Sequence, residues 1–224
     1  MSGQQPVLTA RFWRTRRSAA VAGILFGILL LVAMVMMRVA LGDSGLEALP
    51  SDAHRRGMIR SSLHLVPFAG IAFLWFIGVI REQLGAVEDR LFATVFLGSG
   101  LLFLASLFAG AAVTSSMLAM FEVQHVDPDL WRYGQDNAQG LFAVYAMRMA
   151  AVFTIAVSTA SLRASALPRW VSYVGYVVAL GLLFAPGEQR WIQMLFPAWV
   201  LLVSAVILLT PPAHPAPDAD TPAP

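Results

Sequence analysis

Residues 19–37 read AAVAGILFGILLLVAMVMM, a run with no charge, no amide and no proline, preceded by Arg14, Arg16 and Arg17 and closed by Arg38. A segment this apolar is suited to hydrocarbon, where no water is present to bond the backbone, so its N–H and C=O groups must pair within the segment. A helix rising about 1.5 Å per residue crosses roughly 30 Å of hydrocarbon in about 20 residues. The run is therefore read as a membrane-spanning helix, residues 19–40. A basic region followed by an apolar one also marks a secretory signal, but Met36-Met37-Arg38-Val39-Ala40 has no small-residue cleavage pattern, so an uncleaved anchor is expected.

Working outward, comparable stretches occupy residues 61–80, 91–118, 141–162, 170–186 and 191–210. The third lies in a charge-free run from Leu91 to Phe121, longer than a bilayer requires, and is expected to tilt or bend near Thr114, Ser115 and Ser116. The runs are continuously apolar and rich in Leu, Ala and Met, whereas barrel strands would alternate apolar and polar over roughly ten residues. The expected fold is all-α: a polytopic transmembrane bundle of about six spans over residues 19–210, the fifth being the shortest. Residues 1–18 form a basic amino-terminal segment. Residues 211–224, with Pro at 211, 212, 215, 217, 222 and 224, form a disordered tail. The composition agrees, since 58% of the 224 residues are hydrophobic and 12% charged, beyond what one soluble domain buries.

Arginine placement sets the expected orientation. With the amino terminus inside, Arg11, Arg14, Arg16, Arg17, Arg81, Arg90, Arg163 and Arg169 are cytoplasmic, and Arg38, Arg55, Arg56, Arg60, Arg132 and Arg190 are outside. Both termini are then cytoplasmic, and the connections 42–60 and 122–140 are outer loops too short for a soluble domain. The multi-pass protein is expected in a bacterial cytoplasmic membrane. The cluster Arg11, Trp13, Arg14, Arg16 and Arg17 suits anionic lipid headgroups by charge and ring insertion.

The chain has no cysteine, which excludes disulfides, thiolate-bound metals and thiol nucleophiles. Its arginines stand singly between apolar runs, so a nucleic-acid partner is excluded. No cofactor is expected: His64 is the one histidine in a span, and a haem held by two histidines needs a second at matched depth. A metal set drawn from His54, His125, Asp127 and Asp129 has no recognisable ligand spacing. Gly98-Ser99-Gly100 lacks the outer glycines of a nucleophile elbow, so the protein is read as non-enzymatic.

The informative residue is Arg148, a guanidinium inside the fourth span, costly to leave facing lipid and therefore expected to face the bundle interior or water. Tyr145, three residues earlier, shares its helical face. Glu122 is the expected counter-ion, with Asp136 second, and His64 and Gln193 stand at similar depth. Arg148, Tyr145, His64, Glu122 and Gln193 form the candidate ligand site. The plainer alternative has Arg148 snorkelling outward or pairing only to fix packing. Small residues mark close helix approach: Gly23 and Gly27 on the first span, Ser99, Ser106, Gly110 and Thr114 on the third, Gly175 and Ala179 on the fifth. Pro67 and Pro197 each remove one helical hydrogen bond. Thr154, Ser158 and Ser161 place a second polar stripe on the fourth.

The run HLVPFAGIAFLWFIGVIR at residues 64–81, the loop Glu88-Asp89-Arg90 and Leu167-Pro168-Arg169-Trp170 resemble an uncharacterised group of bacterial multi-span membrane proteins. The resemblance covers most of the chain. It implies the six-span fold and carries no activity. The functional expectation is a bundle that binds a lipid, a small amphiphile or a partner membrane protein, including a second copy. The rival is a small transporter or channel using an outer-half polar site around Arg148. An intramembrane enzyme ranks third.

Overall fold

A computed structural model describes residues 5–41, 52–84, 90–120, 128–165, 167–184 and 190–209. All of its regular elements are helical. They are α1 (Gln5–Leu41), α2 (Ala53–Leu84), α3 (Arg90–Met120) and α4 (Pro128–Gln139), a π-helical segment (Gly140–Ala146), then α5 (Met147–Arg163), α6 (Arg169–Phe184), α7 (Arg190–Gln193) and α8 (Leu195–Leu209). Neighbour packing runs α1–α2–α3–α5–α6–α8 and returns to α1, so six helices close a ring, with α5 and α8 also touching across it.

Five stretches are long and apolar enough to cross a membrane: 20–41, 53–81, 93–120, 129–163 and 191–209. The expected fifth span is the 16-residue α6. At about 1.5 Å per residue it is roughly 24 Å long, short of a full hydrocarbon layer. The last span is interrupted at Met194, whose N–H bonds Trp191 O at 3.1 Å, leaving α7 as one turn before α8. That break explains Pro197: it falls in the first turn of α8, where its missing donor has no intrahelical partner to lose. Pro67, by contrast, sits within an uninterrupted α2.

The expected outer loops differ most. Helix α2 begins at Ala53, well inside the connection 42–60, and α4 with the π segment fills residues 128–146 of the connection 122–140 and beyond. Asp52 explains the first start: its carboxylate accepts from the backbone N–H groups of His54 at 3.0 Å and Arg55 at 3.1 Å, and Arg55 Nε lies 3.1 Å from the other oxygen. This is an N-cap. The Arg55 N–H bond, then that of His54 and the nearby charges, hold the Asp52 carboxyl below its usual range against a smaller opposing effect of desolvation. The cap is therefore intact above the ordinary carboxylate range and is lost only as pH falls through the lowered one. Helix α4 is held by Gly134 against Met117 of α3 and by Trp131 against a small cluster of Ala40, Ile59 and Leu118. The helices thus extend and pack together at the α4 end through residues expected to be loop. Helix α3 is continuous through Thr114, Ser115 and Ser116 to Met120.

The main core is aromatic. Phe26 of α1, Phe73 and Phe76 of α2, Phe96 and Phe103 of α3, Phe153 of α5 and Phe196 of α8 are all buried and in ring contact, from 4.5 Å for Phe26–Phe73 to 6.3 Å for Phe26–Phe103. Lipid tails are as apolar as these rings, so burial from water does not hold the helices together here. Close van der Waals contact does. The small-residue faces serve that contact: Gly23 faces Ser204 and Phe76, Gly27 faces Leu201 and Pro197 O, and Gly175 faces Ser158 and Trp199 Nε1. Hydroxyls on these faces bond back to their own helix, as in Ser99 to Val95 O at 2.6 Å and Thr114 to Gly110 O at 2.8 Å. Thr159 does so and also reaches across: its Oγ1 lies 2.8 Å from Ile155 O of its own helix and 2.7 Å from the Tyr176 hydroxyl, tying α5 to α6.

Candidate functional site

The candidate site is built on the helix that runs from Pro128 to Arg163. Its inward residues include Gly134 and Ala138 on α4, Ala143 and Ala146 in the π segment, and Met147, Ala150 and Thr154 on α5. Residues 140–146 form a π segment, whose turn holds one residue more than an α turn; Phe142, four residues after Ala138, packs on Gly110 of α3, and Ala143 is buried. One inserted residue rotates everything after it by about 100° relative to the helix before it. As a result Tyr145 and Arg148 point away from the bundle while Ala143, Ala146 and Met147 point in.

Tyr145 is 61% exposed, and Arg148 is exposed beside it. The two lie three residues apart on one helix face, as expected. Arg148 does not face the bundle interior; its exposure fits the other directions the sequence allows, toward water or outward by snorkelling. The expectation of an inward guanidinium rested on the cost of facing lipid, which snorkelling lowers. Among the described residues no ion pair or hydrogen bond engages Arg148 or Tyr145.

The other candidates are not brought to this face. His64 is exposed on α2, and α3 stands between α2 and α5 in the ring. Gln193 is half-buried on α7, which packs against α6 and α8. Glu122 lies outside the described residues, as do His125 and Asp127 of the drawn metal set. Asp136 is exposed on α4, twelve positions before Arg148. The backbone of residues 5–19 belongs to α1, but the side chains of Arg11, Trp13, Arg14, Arg16 and Arg17 lie outside those described. Among the described residues, no three His, Asp or Glu side chains gather as a metal site would need.

Two features escaped the sequence reading. Arg38, at the end of α1, places its guanidinium 3.7 Å from the centroid of the Trp191 ring, fixing α7 to the same end of the bundle as α4. The second is a buried polar junction at Gly175. Ser158 Oγ of α5 and Trp199 Nε1 of α8 meet this glycine of α6, both buried without a hydrogen-bond partner among the described residues. The missing Cβ of Gly175 was a legible sign of close approach, but not of which helices would meet there. The chain matches no family model, no curated protein and no solved structure.

Proposed function

We propose that this chain is a non-enzymatic integral protein of the bacterial cytoplasmic membrane, its termini inside, that acts by binding a membrane component laterally on the outward face of α4 and α5. The observation that carries this reading is the exposed pair Arg148 and Tyr145 within an apolar span. An intramembrane cation that faces away from its own bundle is accommodated by snorkelling to the interface or by an anionic or dipolar partner from outside the bundle, and at headgroup level the two coincide. The aromatic core supports the same reading over conduction: seven phenylalanines from five helices occupy the middle of the ring, where a transported ion or solute would need polar lining.

Native mass spectrometry of gently extracted wild type and Arg148→Leu tests this, together with solute uptake into vesicles holding each protein. Leucine removes the charge and keeps much of the bulk. The expected result is a lipid, amphiphile or protein adduct on wild type that is lost from a folded Arg148→Leu protein, with no uptake by either. Uptake that depends on Arg148 would overturn the lateral reading in favour of transport.

A further inference from the structure

The guanidinium of Arg148 lies at a depth that can be estimated from its own helix. From Arg148 to Arg163, at the opposite end of α5, is fifteen residues, or about 22 Å. If Arg163 marks one edge of a hydrocarbon layer of about 30 Å, the Arg148 backbone is roughly 8 Å inside the other edge, the one nearer α4. Side chains on a helix tilt toward its amino terminus, which here is the α4 end. An extended arginine at this position therefore carries its charge up to headgroup level without bending the helix. Tyr145, one turn nearer the same edge, holds its ring in the zone where an aromatic body is dry and its hydroxyl wet.

The ligand chemistry follows from these donors. A guanidinium offers a planar pair of N–H groups that match two oxygens of one phosphate, and the tyrosine hydroxyl supplies a further donor from the same side. Carbonyls, hydroxyls and amines of lipid headgroups lack that charge-assisted pairing. Phosphodiester groups are present at this depth around the whole protein, whereas a partner's carboxylate would itself have to be carried into the hydrocarbon edge at a cost.

Resting on the lateral reading above, we infer that Arg148 and Tyr145 form a binding site for the phosphate of a membrane phospholipid in the leaflet on the α4 side, and that the π segment Gly140–Ala146 is what turns both donors toward it. The site recognises the phosphodiester, so it takes zwitterionic and anionic phospholipids alike and rejects a diacylglycerol of the same chains. The acyl chains lie along the exposed apolar surface below.

The test is lipid titration of the delipidated full chain in detergent, read by native mass spectrometry. Dioleoyl phosphatidylglycerol and dioleoyl phosphatidylcholine are compared with dioleoylglycerol. Wild type is expected to retain the two phospholipids and not the diacylglycerol. Arg148→Leu is expected to lose at least about tenfold in phospholipid retention, the size of a lost hydrogen-bonded charge contact. Arg148→Lys, which keeps charge without the planar fork, falls between, and Tyr145→Phe gives a smaller loss. If Arg148→Leu does not fold, the graded order of wild type, Tyr145→Phe and Arg148→Lys decides. Equal retention of diacylglycerol and phospholipid, or retention unchanged in the folded variants, overturns the phosphate site. If retention is unchanged but a copurifying membrane protein is lost from Arg148→Leu, the phosphate inference fails while the lateral reading survives. Arg148-dependent solute uptake, in contrast, removes the lateral reading itself.

Discussion

Replacing Phe73 by alanine is expected to destabilise the bundle by about 3–5 kcal/mol, the cost of emptying a large buried aromatic site. Phe73 is fully buried, and its ring centroid lies 4.5 Å from Phe26, 5.2 Å from Phe103, 5.1 Å from Phe153 and 5.8 Å from Phe196. It therefore joins α1, α2, α3, α5 and α8 at one point. Because lipid offers the separated helices an equally apolar surroundings, the loss comes from forfeited close contacts around a cavity rather than from exposure to water. Phe68 is the internal comparison: it is on the same helix and 62% exposed, so Phe68→Ala is expected to change stability by no more than about 0.5 kcal/mol. Reversible denaturation in mixed micelles measures both. Equal effects from the two substitutions would mean that the aromatic cluster is not the junction of the helices.

The second large effect is expected at Gly23. A Cβ there would meet Ser204 Oγ, and would stand 2.8 Å from Phe76 Cδ2 and 2.9 Å from Phe76 Cε2. Ser204 and Phe76 are both fully buried, so neither has free space to retreat into. Gly23→Ala should force α1 away from α8 and α2 at about 1–3 kcal/mol, outweighing the helix-propensity gain of up to about 1 kcal/mol from removing a glycine. Gly78 on α2 isolates the propensity contribution, since a Cβ there meets nothing within 4 Å. Gly78→Ala is expected to be neutral or mildly stabilising in the same denaturation measurement. A stabilised Gly23→Ala protein would contradict the close α1–α8 approach.

How much of this was legible in the sequence depends on the physical signal at each element. The span at residues 19–40 follows from thickness and hydropathy, which act on any chain irrespective of its neighbours. Gly23, Gly27 and Gly175 announced close approach, but a missing side chain carries no address. That Gly23 meets Ser204 of α8 and Gly175 meets Ser158 and Trp199 is decided by the ring order of the helices. The segments 53–60 and 128–139 read as loops because they are polar. Their helicity rests on the Asp52 cap and on the placement of Trp131, Gly134 and Ala138 along one side of α4, signals weaker than a hydrocarbon span.

The candidate site was half legible. Arg148 and Tyr145 share a face because their spacing is local and survives any rotation of the helix. Which way that face points is not local. It depends on how α5 is phased against α4, and the π segment Gly140–Ala146 shifts that phase. Nothing in the types of residues 138–146 marks the extra residue, since alanine, glycine and apolar side chains suit either register.

The outward direction of Arg148 is the claim on which the functional reading depends, and spin-label accessibility tests it most directly. The chain has no native cysteine, so Arg148→Cys, Phe68→Cys and Phe153→Cys each carry one label without background. In reconstituted membranes a label at position 148 is expected to be mobile and to collide with dissolved oxygen about as often as one at position 68. A label at 148 that is immobile and shielded like one at 153 would put this residue inside the bundle, and one that collides chiefly with a water-soluble nickel chelate would put it in water; either contradicts the account.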